Sequence, residues 1–471
     1  MDYTKLDNII ASMREDILES IRRVVAINSV AAQESAPNEP FGKEVRRALD
    51  TFLTIARENG FEARDIDGYA GDVRLGTGEK TMGILAHLDI VPAGDGWTVD
   101  PFSGVIRDGK LYGRGTTDNK GPAVAALYAM KAVREAGIEL KDAVKLIVGC
   151  DEETGMTDMR HYAQHEKLPD YGFSPDADYP LINIEKGGLG LLLSCVTGGE
   201  DGAEIPIYEL YAGERCNVVP GSAYAIVGTE KVSLQELRER VRALCAEDER
   251  LKIAVSEAGN CRAKIEATGV SAHASLPHLG VNAAGMLLIA LKKLSAGGGS
   301  REAIALLADK IGFEGDGKSL GIAISDEESG ALTCNLGILR YDGNELSAQL
   351  DNRYPISACE ETMCGQAVMT LSGKMSVRRV SGHPPLHVPK DSEIVQGLLE
   401  VYHEVTGLEA YPIAIGGGTY SRTMPNTVAF GINFPGDVDL CHMPDEYVDI
   451  EKLMLSVKIM AHAIVRLAGK P

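Results

Sequence analysis

The chain has 471 residues, 44% hydrophobic and 24% charged, a balance that supports large buried cores and excludes a disordered chain. That length makes two domains the starting expectation. A net charge of −21 excludes nucleic acid as a partner, because a phosphate backbone needs a basic face. From the N-terminus, Ile10, Met13, Ile17, Ile21 and Val24 recur with helical period, which predicts an amphipathic helix rather than a signal peptide. A second helix is expected over 42–59. It is followed by the strand-like "DVRLGTG" and "KTMGILAHLDIVPAG", then "GVIRDGKLYGRG", a helical "GPAVAALYAMKAVREAG", and "DAVKLIVGCDEETG". Continuous apolar strands between amphipathic helices indicate a mostly parallel sheet covered on both faces.

From about 186 to 384 the pattern changes to hairpin-like strands with two clear helices, one of them capped by Ser233 and Glu236, and with a glycine loop at 297–299. The C-terminal segment returns to the first pattern, with a helix in "EIVQGLLEVYHEVTG", a buried strand in "TVAFGINFPG" and a long final helix. The expected fold is α/β: a discontinuous catalytic domain over 1–185 and 385–471, with an α+β lid over 186–384 inserted into it. No apolar run approaches the ~20 residues of a membrane span. The nine cysteines lack CxxC spacing, which suggests reduced thiols and a cytoplasmic location.

The acids of "VGCDEETG" raise a physical question. Asp151, Glu152 and Glu153 stand at the end of a core strand, where adjacent carboxylates repel one another and lose water. Other polar groups also follow apolar strands: His87 and Asp89 in "ILAHLDIVP", Asp118 in "YGRGTTDNKG", Asp176 in "FSPDADYP", and His442 in "CHMPDE". Ligands collect at the carboxyl ends of strands in open α/β sheets. Two imidazoles with several carboxylates suit zinc, and also manganese or cobalt. A pair of divalent ions would offset the repulsion among the acids.

In order and spacing, "HLDIVPAG", "GRGTTDNKGP", "DEETG", "PDADYP" and "GVSAHASLP" resemble the co-catalytic zinc metallopeptidases that include aminoacylases, glutamate carboxypeptidases and carnosinases. Within that superfamily the chain is most similar to the dipeptidase V branch. The resemblance implies two divalent metal ions per subunit, zinc first. His87 and Asp176 would hold one, Glu153 and His442 the other, and Asp118 would bridge them. Asp89 would orient the His87 imidazole and Glu152 would be the general base. Asn119 stands where the family often has a second Asp, which removes one charge beside the bridge.

The same resemblance makes His273 the donor to the oxyanion, Arg353 in "QLDNRYP" the fork for a substrate carboxylate, and Asn217 a further lid contact. "IGGGTYSR" lacks the spacing of a P-loop or dinucleotide site. Gly416, Gly417 and Gly418, with Thr419 nearby, are expected to bring backbone N–H groups to a small carboxylate, and Arg422 to be structural. The enlarged lid implies a monomer. The expected activity is hydrolysis of unblocked dipeptides, β-alanyl ones included, with the small-molecule dipeptide as the only partner. An N-acyl-amino-acid deacylase or desuccinylase with the same metal centre, and a non-catalytic peptide- or metal-binding homologue, are the alternatives.

Overall fold

A computed structural model describes residues 3–32 and 35–470. The chain divides into two compact units: residues 1–184, 386–413 and 418–471 form the first, and residues 185–385 and 414–417 the second.

In the first unit the central strands are Ala143–Gly149, Thr81–His87, Tyr171–Ser174 and Thr427–Ala429, side by side in that order and all parallel. Their side chains alternate between two buried layers. Ile84, Ala86, Val144, Leu146 and Val148 join the large core, whereas Leu85 and Ile147 join a smaller one with Met159, Tyr162 and Tyr420. Burial on both faces is why these strands read as unbroken apolar runs. The helix Lys120–Ala136 lies on the large-core side, against the helices Arg14–Val25 and Ile450–Ala468.

The parallel order stops at the edges. Ala70–Leu75 pairs antiparallel with Ala143–Gly149, and Ala63–Ile66 pairs antiparallel with Ala70–Leu75. The turn between these last two carries positive φ at Asp67 (54°) and Gly68 (75°), a tight reversal that favours an antiparallel hairpin. Two predicted elements are interrupted. The N-terminal helix breaks at Met13 into Thr4–Ser12 and Arg14–Val25. The "TVAFGIN" strand divides into Thr427–Ala429 and Ile432–Asn433, with Gly431 between them at φ 92°.

The second unit is α+β. Its eight-stranded sheet is antiparallel throughout, in the order Ile253–Glu257, Arg262–Thr268, Ser222–Gly228, Ile207–Ala212, Thr333–Tyr341, Glu345–Tyr354, Gly187–Val196 and Ser376–His383. Buried and half-exposed residues alternate along Glu345–Tyr354, as expected for a sheet with one covered face. The helix Ala283–Lys293 covers that face, and the Asn282 side chain caps it by accepting from the Ala284 and Gly285 N–H groups.

Candidate metal centre and active site

His87 is the last residue of its strand and lies in register with Gly149, after which the neighbouring strand runs into Cys150–Glu153. Two adjacent parallel strands therefore deliver an imidazole and the acidic turn to the same sheet edge. Asp176 follows the next strand, Tyr171–Ser174. Asp118 precedes the helix Lys120–Ala136, and His442 lies between the strands Ile432–Asn433 and Tyr447–Asp449.

These residues meet. His87 Nε2 is 3.0 Å from Asp118 Oδ1 and 3.3 Å from Asp176 Oδ2. His442 Nε2 is 3.0 Å from Asp118 Oδ2 and 3.2 Å from Glu153 Oε2. The arrangement is two donor triads sharing Asp118, one carboxylate oxygen in each. Among the described residues the buried Glu153 Oε1 has no hydrogen-bond partner, and His87 Nε2 has two carboxylates within 3.3 Å but no hydrogen bond of good geometry to either, an unfavourable condition for the polypeptide alone. Mixed imidazole and carboxylate donors converging in threes are what a zinc, manganese or cobalt ion takes. The residues fit a dinuclear centre.

Without metal, protons must supply the positive charge. Burial opposes a charged His87, but Asp176, Asp118 and Asp89 outweigh it and hold its pKa well above the usual value. Hydrogen bonds to Asp118 and Glu153 push His442 up to about 10. Burial would raise Asp118, yet the two imidazoles win and keep it well below the usual carboxylate range. Glu152 moves far up, through burial first and then through Asp176, Glu153 and Asp118 against the pull of His87.

Asp151 takes no part in the triads. Its carboxylate accepts from the Thr157 N–H at 2.9 Å and from the Thr154 and Thr157 hydroxyls, closing the turn. Asp89 acts on the imidazole differently from the expectation. His87 Nδ1 is 2.9 Å from the Asp89 carbonyl oxygen, whereas the nearer carboxylate oxygen is 3.5 Å away. That carboxylate instead accepts from the Glu152 and Glu153 N–H groups at 3.2 and 3.1 Å, so Asp89 ties the His87 loop to the acidic turn. Asn119 accepts from the His87 N–H at 3.2 Å and donates to Asp176 Oδ1 at 2.9 Å. Asp at this position would lose that donor.

Several supporting residues were not singled out by the sequence reasoning. Buried Glu446 accepts from the Gly115, Thr117 and Asp118 N–H groups at 3.0, 2.9 and 3.2 Å, and from Arg114 Nη1 at 2.6 Å, which sets the loop carrying Asp118. Buried Asp158 accepts from the Cys150 and Asp151 N–H groups at 2.6 and 2.9 Å and from the Tyr420 hydroxyl. Gly149 is required beneath them, because a Cβ there would lie 2.1 Å from the Tyr420 oxygen and 2.3 Å from Asp158 Oδ2. The available signal was an acid in a helix first turn and an acid four residues past His442, neither of which is distinctive in a sequence.

The remaining predicted residues fall on both units. In the second, His273 Nδ1 accepts from the Ser275 N–H at 3.3 Å with the Ser275 hydroxyl 2.7 Å away, so a neutral ring carries its proton on Nε2. Arg353 is held by Asp351 through Nε at 2.6 Å and Nη2 at 2.9 Å, and its Nη1 reaches the Gly416 carbonyl at 3.3 Å. Asn217 accepts from the Ala274 N–H at 2.9 Å through its backbone carbonyl. A Cβ on Gly416 would meet Ser275 at 2.6 Å, whereas one on Gly417 would meet only Ile415 at 3.6 Å. In the first unit, Gly418 lies against the Arg422 guanidinium, and the buried Thr419 hydroxyl caps the short helix Tyr420–Thr423 by accepting from the Ser421 N–H at 3.1 Å.

Residues 83–466 match the model of peptidase family M20/M25/M40. The chain belongs to this family. It is therefore a hydrolase of the metallopeptidase kind. A putative dipeptidase of Bacillus subtilis, YtjP, is 36% identical over 97% of this chain and 98% of its own length. The Beta-Ala-Xaa dipeptidase of Lactobacillus delbrueckii subsp. lactis is 34% identical over 96% of each chain. The α/β fold with an inserted α+β lid is shared with other family structures. Human carnosine dipeptidase 1 aligns over 98% of both chains with a TM-score of 0.57 at 17% identity, and aminoacylhistidine dipeptidase from Vibrio alginolyticus over 97% of both with 0.59 at 16%. Among the described residues no helix is long and apolar enough to cross a membrane.

Proposed function

We propose that the chain is a metal-dependent dipeptidase that hydrolyses unblocked dipeptides, β-alanyl ones among them, with His87, Asp118 and Asp176 holding one divalent ion and Asp118, Glu153 and His442 the other. The observation that carries this reading is the pair of donor triads sharing Asp118, with Glu153 Oε1 buried and unpartnered among the described residues. The dipeptidase relatives support the substrate class. Divalent ions bound there would acidify a water and polarise the scissile carbonyl, zinc being the first choice with manganese and cobalt also suited.

The chain's own residues do the rest. Glu152 lies outside both donor triads, in the turn where Asp89 fixes the N–H groups of both glutamates. Its carboxylate accepts a proton from the attacking water and returns it to the departing amine. His273, with Nδ1 occupied as an acceptor, offers Nε2–H to the oxygen that gains charge. Arg353, preset by Asp351, binds the substrate carboxylate, and Asn217 adds a polar contact. Gly417, where a Cβ would meet only Ile415 at 3.6 Å, contributes backbone to the substrate-binding loop, with Gly418 and Thr419 next in the chain. The enlarged second unit favours a monomer, and nine free cysteines favour a reducing, cytoplasmic setting.

The test is incubation of zinc- or manganese-loaded protein with pooled dipeptides, N-acetylated and N-succinylated amino acids and tripeptides, followed by mass spectrometry. Cleavage confined to free dipeptides is expected. Cleavage of the acylated pool alone would overturn the substrate class.

A further inference from the structure

Three side chains outside the dinuclear centre also converge. Asp67 lies in the turn between the strands Ala63–Ile66 and Ala70–Leu75. His161 and His165 are four residues apart on the helix Thr157–His165, a spacing that stacks them on one face. A donor atom from each of the three lies within 4.8 Å of the others. His161 Nε2 is 3.0 Å from Asp67 Oδ2.

The second imidazole is set in a definite tautomer. His165 Nδ1 is 2.9 Å from the His161 carbonyl oxygen. A carbonyl only accepts, so Nδ1 carries the proton and the neutral ring keeps its lone pair on Nε2. A backbone carbonyl on one ring nitrogen is how ligating histidines are commonly oriented toward a metal on the other. The metal-free rings are stacked, which aims their in-plane lone pairs side by side, so ligation of one ion requires the exposed His165 side chain to rotate off the stack. His161 is sandwiched between Tyr69, at 3.9 Å and 10°, and His165, at 4.0 Å and 24°.

The positive φ of Asp67 and Gly68 turns the Asp67 carboxylate toward the helix. Nearby arginines are engaged elsewhere, Arg46 with Asp50 and Asp65, and Arg64 with Asp72 and Glu166. Asp67 is 61% exposed and His161 21%, so an ion can enter from solvent.

We propose that Asp67, His161 and His165 form a third divalent-cation site, separate in its residues from the dinuclear centre. Two imidazole nitrogens and one carboxylate select zinc, nickel or copper(II) over magnesium, calcium or manganese. Three protein ligands leave a further position for water. An occupied site would clip the 67–69 turn to the helix whose Asp158 holds the Cys150 and Asp151 N–H groups.

The test uses the full chain with the dinuclear centre loaded first. Zinc or nickel is then added, and bound metal is measured by equilibrium dialysis and elemental analysis. The wild-type chain should retain one equivalent more than His161→Ala or His165→Gln, and Asp67→Asn should hold that equivalent more weakly. Copper(II) added to the zinc-loaded protein should give an electron paramagnetic resonance spectrum with nitrogen coupling that His165→Gln loses. His165 is on the surface, so this variant folds even if His161→Ala disturbs the ring stack. Equal metal content in wild type and both histidine variants, or an unchanged copper spectrum in His165→Gln, would overturn the proposal. Neither readout requires turnover, so failure of the dipeptidase reading would leave this test intact.

Discussion

Asp158→Asn tests how the acidic turn is supported. Asp158 is fully buried; its Oδ2 accepts two backbone N–H groups and the Tyr420 hydroxyl, and its Oδ1 accepts the Met159 N–H at 2.6 Å. Burial, reinforced by Asp89, pushes its pKa up from 3.8 to about 7 despite those hydrogen bonds. As pH rises, the unfolded chain therefore ionises first and the native chain keeps its proton until about 7. Stability from this group is complete below 3.8 and is lost by the time pH passes 7. The loss runs at about 1.4 kcal/mol per pH unit, or about 4 kcal/mol across the window. Asparagine does not titrate, but its NH2 must face a backbone donor, at a cost of about 1–3 kcal/mol. The variant should therefore be less stable than wild type near pH 4 and should match or exceed it near pH 8. Urea unfolding of the metal-free proteins gives the comparison. The single tryptophan, Trp97, lies in the same unit, so its fluorescence reports the relevant transition. A difference between the two proteins that stays constant from pH 4 to 8 would refute the reasoning.

Glu152→Gln should lower kcat by about 10²–10⁴ while metal content by elemental analysis is unchanged; undiminished turnover would remove Glu152 as the base. Glu446→Gln takes an acceptor from the N–H groups of Gly115, Thr117 and Asp118, and chelator competition should show metal held about 10–100-fold more weakly. Arg353→Lys replaces a planar fork with a point charge, so KM for dipeptides should rise by roughly 10-fold or more with kcat less affected; an unchanged KM would place the substrate carboxylate elsewhere. Metal loading at pH 7 should release protons, because His87 and His442 are both held above their usual pKa. Titration calorimetry in buffers of different ionisation enthalpy measures this, and no net release would contradict the charge balance inferred for the cluster.

The site was legible in the sequence to the extent that strand ends were. His87, Glu153 and Asp176 each follow an apolar run that a two-sided sheet requires, and parallel pairing brings such ends together. Turn geometry was not legible. "DEE" looks like three equivalent acids, yet Asp151 folds back onto Thr154 and Thr157 while Glu152 and Glu153 are fixed by Asp89. The imidazole contact of Asp89 passes through its carbonyl, which no side-chain pattern encodes. Glu446 lies 328 residues from the Asp118 N–H it receives, and only the folded chain makes them partners. The antiparallel sheet edges were missed for a similar reason. Apolar runs report burial on two faces, not the direction of the neighbouring strand.

The charges in the cluster link metal loading to the base. Four carboxylates, Asp118, Glu152, Glu153 and Asp176, surround two imidazoles. With both imidazoles protonated the positive charge is two short of balance. The deficit shows in the upward displacement of Glu152, Glu153 and Asp176, each driven first by burial and then raised further by neighbouring carboxylates. Two divalent cations replacing the imidazole protons would raise the positive charge from two to four and so offset more of the carboxylate charge, to which buried Asp89 also contributes. The added positive charge favours ionisation of Glu152. A metal-free chain thus lacks more than its ions: burial and the neighbouring carboxylates shift its general base toward the protonated form, which is the poorer proton acceptor.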